Sequence, residues 1–85
     1  MFTTLQVAAA CKAAAIKVLD IVESREPELE DDMVILTKQT HIQVGQNYLC
    51  LVRENEDKSF SWLHETESLP NMIYFIRSQL MLGKL

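Results

Sequence analysis

Five apolar residues in a row, Tyr48-Leu49-Cys50-Leu51-Val52, stand between Gly45-Gln46-Asn47 and Arg53-Glu54-Asn55. A short continuous apolar run bounded by turn signals reads as a strand buried on both faces. Such a strand needs a neighbour on each side and a covering layer, which restricts what the rest of the chain can build. A chain of 85 residues buries roughly 60–65% of its unfolded surface, enough for one modest core. The whole of 1–85 is therefore expected to be a single domain.

The neighbours are legible on either side. Met33-Val34-Ile35-Leu36 reads as a buried strand running to about Lys38. In the stretch 39–44, Ile42 and Val44 alternate with polar residues. It either prolongs that strand past a bulge or forms a short strand of its own, and Gly45 suits both. Asn55-Glu56-Asp57-Lys58 reads as a hairpin loop. In the following segment Phe60, Trp62 and His64 alternate with Ser59, Ser61 and Leu63. That pattern predicts an antiparallel strand with one face partly solvated.

A helix is expected at each end. Thr3 and Gln6 have capping-box spacing, and Phe2 and Val7 are placed for a hydrophobic staple. The alanine-rich run from Ala8 to Ala15 then favours helix. Val7, Cys11, Ala14, Ala15, Val18, Leu19 and Val22 gather on one face at 3.6-residue periodicity, which predicts a helix reaching Arg25 or Glu26, before Pro27. At the other end, Ser68 offers an N-cap and Pro70 suits a first turn. Leu69, Met72, Ile73, Ile76 and Leu80 form the apolar stripe, and Gly83 can end the helix.

The expected class is α+β: a two-layer αβββα fold with an antiparallel three-stranded meander, or four-stranded if 39–44 forms its own strand. This element order is similar to that of double-stranded-RNA-binding domains. Their RNA grip relies on a basic cluster opening the second helix. Here that stretch is Ser68-Leu69-Pro70-Asn71-Met72, without Lys or Arg, and Glu65 and Glu67 precede it. The resemblance is topological and carries no function across.

Several chemistries find no support in the residues. His64-Glu65 with Ser59 and Ser61 offers hydrolytic residue types, but Ser61 and His64 fall on opposite faces of a regular strand. His41, His64, Cys11 and Cys50 lack zinc-ligand spacing. With only Gly45 and Gly83, there is no glycine-rich phosphate loop. The chain is thus expected to be non-enzymatic, with no cofactor and no metal. Two cysteines in apolar contexts suit a reducing compartment. No signal-peptide pattern opens the chain, and no apolar run approaches the ~20 residues of a membrane span. A cytoplasmic location without membrane association is expected.

A net charge of −4 disfavours direct nucleic-acid binding, which needs clustered cations. The twelve acids fall in two segments, seven from Asp20 to Asp32 and five from Glu54 to Glu67. Carboxylates near a helix C-terminus oppose its dipole, so Glu23, Glu26, Glu28, Glu30, Asp31 and Asp32 are candidates for an acidic patch facing a basic partner surface. The plainer reading is a solvated loop. On the second helix Tyr74, Phe75 and Met81 flank the apolar stripe and are candidate partner contacts. Leu5, Ala9 and Ile16, opposite the first helix's stripe, are candidates for a homodimer contact. So are Leu49 and Leu51, on the sheet face that two helices leave uncovered. The functional expectation is a protein-binding module, adaptor or inhibitor, that forms a homodimer. The alternative is a phage-type inhibitor of a nucleic-acid enzyme, similar in size and acidity to anti-CRISPR proteins, blocking a basic channel.

Overall fold

The computed structural model describes residues 1–23 and 32–85. Its elements are α1 (Thr4–Ala13), β1 (Asp20–Val22), β2 (Met33–Ile35), β3 (Thr40–Val44), β4 (Leu49–Glu54), β5 (Phe60–Thr66) and α2 (Leu69–Met81). The strands form one antiparallel sheet in the order β1-β2-β3-β4-β5. The α+β class holds. The described residues form five strands, beyond the expected three or four, so their element order is αβββββα. The topological likeness to double-stranded-RNA-binding domains goes with it.

The fifth strand arises because the first helix stops early. Thr3 caps it as expected, its side chain accepting from the Gln6 N–H at 3.1 Å. The far end turns at Ala15, which sits at φ 59°. There the Ile16 N–H reaches the Cys11 carbonyl at 2.8 Å and the Ala15 N–H reaches Lys12 at 3.1 Å. This is a Schellman closure with alanine in the place glycine usually takes. Ile16 drops into the core beside Cys11, and that burial offsets the left-handed backbone. Val18, Leu19 and Val22, expected on the helix, instead lead into and form β1.

The 39–44 stretch is a strand in its own right. β2 ends at Ile35, and a turn held by Thr37, whose hydroxyl accepts from the Gln39 and Thr40 N–H groups, reverses the chain into β3. Between β4 and β5 the Asn55 carbonyl accepts from Lys58 at 3.0 Å while the Asn55 N–H donates to Ser59 at 2.8 Å. Lys58 takes the left-handed position at φ 71°, the geometry of a three-residue hairpin loop closed by a bulge.

β5 is irregular. Val52 pairs with Trp62 but Leu51 pairs with His64, so Leu63 is the extra residue of a β-bulge. The expected alternation breaks there. Leu63 packs against the core, and His64 stacks on Phe75 of α2 with ring centroids 4.2 Å apart. Of Phe60, Trp62 and His64, the first two stay on the opposite face.

Both helices cover the same side of the sheet, α1 over β1 and β2, α2 over β4 and β5, and they touch each other. The core between the layers joins Val7 and Cys11 of α1, Val34, Ile42, Leu49 and Leu51 of the sheet, and Met72 and Ile76 of α2. Leu49 and Leu51 are thus on the covered face, and the open face belongs to Cys50 and Val52. The parity expected for the dimer contact is reversed. Burial pushes the Cys11 thiol up to about 11. Cys50 is raised too, by burial and then by Glu65. No described helix is long and apolar enough to cross a membrane.

Candidate functional site

Strand pairing lays two cross-strand rows over the uncovered face. One reads Asp20, Ile35, His41, Val52, Trp62 from β1 to β5; the other reads Val22, Met33, Gln43, Cys50, Glu65. The first row is apolar except for Asp20 at its edge and His41 at its centre. Phe60, paired with Glu54, stands next to Trp62 on the loop side. The middle and the β5 side of this face hold a groove of about 530 Å³, walled by Phe60 and Trp62 and floored by Met33, Ile35 and Val52. The turn residues Lys38 and Gln39 and the strand residue Glu54 close its polar end.

The exposure of the wall is the notable quantity. Trp62 is 65% and Phe60 57% exposed, although both sit over a sheet that could have turned serines outward instead. Ser61 lies on the other parity, accepting from Asn55 Nδ2 at 2.9 Å. Large aromatics on a helix-free face, above half-buried aliphatics, make an apolar patch of the kind that protein interfaces use. His41 meets Phe60 edge-on with centroids 6.5 Å apart. Burial lowers the His41 pKa below its usual 6.5, with Glu54 pulling the other way. The ring is neutral at pH 7, which keeps the middle of the groove uncharged.

The expected contact residues are scattered. Of the acidic set, Glu26, Glu28, Glu30 and Asp31 lie outside the described residues. Glu23 is exposed and accepts a hydrogen bond from the Thr4 hydroxyl, beside the start of α1. Its carboxylate therefore complements that helix's dipole. The Asp32 carbonyl accepts from the Val44 N–H at 2.8 Å. On α2, Tyr74 (75% exposed) and Met81 (83%) are at the surface, whereas Phe75 is half-buried under His64. Of the dimer set, Leu5 and Ala9 are exposed on α1. Ile16, Leu49 and Leu51 are core residues, out of reach of a second copy of this fold.

The hydrolytic residue types do not converge. His64 Nε2 lies 2.7 Å from Asn71 Oδ1 on the helix side, while Ser61 is held by Asn55. Among the described residues, no three His, Cys, Asp or Glu side chains gather as metal ligands would. The groove residues Met33, Ile35, His41, Val52, Phe60 and Trp62 were not assigned a role from the sequence. The available signal was Phe60 and Trp62 alternating with serines, a pattern that marks aromatic side chains on one strand face. The chain matches no protein-family model, no curated protein and no solved structure.

Proposed function

We propose that this chain is a non-enzymatic protein-binding module whose contact surface is the open face of its sheet. The exposure of Trp62 and Phe60 above the Met33–Ile35–Val52 floor carries this reading. Truncating aromatics at the centre of such a patch removes a large share of binding energy, because few residues carry most of it. The reducing cytoplasm is the setting in which two buried free thiols, Cys11 and Cys50, persist as thiols. The acidic segment is a weaker candidate surface, since Glu23 already serves the start of α1.

A pull-down from source-cell lysate tests this, with the tagged chain run beside its Trp62→Ala/Phe60→Ala double variant. The expected result is a protein recovered by the parent chain and lost at least tenfold by the variant, while both show the same circular dichroism. Equal recovery by both would contradict the reading. A nuclease recovered in this variant-dependent way would select the inhibitor role over an adaptor role.

A further inference from the structure

At the centre of the open face, one titratable side chain stands where an occupant would cover it. His41 lies between Ile35 and Val52 in the cross-strand row, lines the groove and meets Phe60 edge-on. Among the described residues neither ring nitrogen has a hydrogen-bond partner, so in the free chain both are left to solvent. A segment seated between the aromatic wall and the Met33–Ile35–Val52 floor takes that solvent away. A neutral imidazole tolerates the loss; an imidazolium buried without a counter-charge does not.

The groups around the ring supply little counter-charge. Glu54 on β4 is the near carboxylate and favours the charged ring. Lys58 reaches it at 3.8 Å, however, and Lys38 of the β2–β3 turn stands at the same end of the groove. From β5 the neighbours are Phe60 and Trp62, and along β3 the next residue on this face is Gln43. Asp20 lies beyond Ile35 on β1, and Glu65 sits in the other row beside Cys50. Both helices are on the far side of the sheet. Burial already outweighs Glu54 in the free chain and holds the ring below the usual 6.5. Glu54 also repels an acidic occupant, and the ring's nearest neighbours, Ile35, Val52 and Phe60, suit an apolar one.

We infer that the partner protein seats an uncharged apolar side chain over His41 and that protonation of the ring releases it. This names the partner chemistry and the regulation of the docking site proposed above, and rests on that reading. The sign follows from linkage: the covered site holds the neutral ring and the free site takes the proton. Affinity is therefore constant above the free ring's pKa and falls as pH drops through it. An acidic anchor would pair with the imidazolium and give the opposite slope.

Nile red, an uncharged apolar dye, stands in for the anchor in fluorescence titrations of the full chain at pH 7.5 and pH 5. Circular dichroism is expected to match at both. The dye should bind about three- to tenfold more weakly at pH 5, and His41→Gln should remove the difference. Phe60→Ala should weaken binding at both pH values. Equal or tighter binding by the parent at pH 5 would overturn the inference, as would the same fall in His41→Gln or a dye indifferent to Phe60→Ala. The pull-down run at both pH values judges the docking reading separately. A protein lost by the Trp62→Ala/Phe60→Ala variant yet recovered equally at both leaves docking standing and removes the acid release. Capture indifferent to the variant removes both.

Discussion

Gly45 and Ala15 show how much of this fold depends on single backbone positions. A Cβ on Gly45 would lie 2.2–2.5 Å from ring carbons of Tyr48, so the ring that closes the β3–β4 turn must move. Gly45→Ala is expected to cost about 1–3 kcal/mol, read as a lowered denaturation midpoint with unchanged slope. Ala15 poses the reverse case. An L-residue in the left-handed region costs roughly 1 kcal/mol, and glycine removes that penalty while adding chain entropy. Ala15→Gly should stabilise the protein by about 0.5 kcal/mol; a loss of stability would mean α1 does not end there.

His41 gives the residue scale its pH dependence. Desolvation lowers its pKa, opposed by Glu54, and Lys38 is the nearby cation on the groove rim. A histidine with a depressed pKa favours the folded state at pH above its unfolded value of 6.5. That contribution is lost as pH falls from 6.5 through the lower folded value. Stability measured by urea melts should decline over this window, and His41→Gln should flatten the decline.

At the scale of elements, the bulge in β5 decides which side chains belong to the core. In a regular strand His64 would share the open face with Trp62. The extra residue Leu63 turns it toward α2, where it stacks on Phe75 and reaches Asn71. His64→Ala should therefore cost about 1 kcal/mol, measured by thermal or chemical melts, whereas a solvated His64 would be neutral. The two N-caps and the α2 stripe from Leu69 to Ile76 were readable beforehand because they depend on local spacing, whereas Leu80, expected to continue the stripe, is exposed. Thr3 does bond Gln6, and Ser68 accepts from the Asn71 N–H at 3.2 Å. The helix-to-strand switch at Ala15 was not readable. Ala8 to Ala15 favours helix locally, and only the burial of Ile16 against the sheet ends it, a non-local effect. The parity of β4 was ambiguous for a related reason. Leu49, Cys50, Leu51 and Val52 are all buried, so no alternation of polarity distinguishes the covered face from the open one.

At the scale of the whole molecule, two helices on one side leave the other side of the five-stranded sheet without a layer among the described residues. The most exposed large hydrophobic side chains of that side are aromatic, and the middle is kept neutral by His41. Little of this site was legible in advance. Its members come from all of β2 to β5, and each looks ordinary in its own segment. The acidic patch attracted attention because charge is visible residue by residue, whereas a composite apolar face exists only after folding.

Trp62 is the chain's single tryptophan, so its fluorescence reports on this face alone. Acrylamide quenching of the full chain in dilute solution is the most direct measurement. Free access to the indole is predicted, with the red-shifted emission of a solvated tryptophan, because Trp62 stands 65% exposed on the open face. An indole already shielded in the dilute monomer would contradict the open face itself.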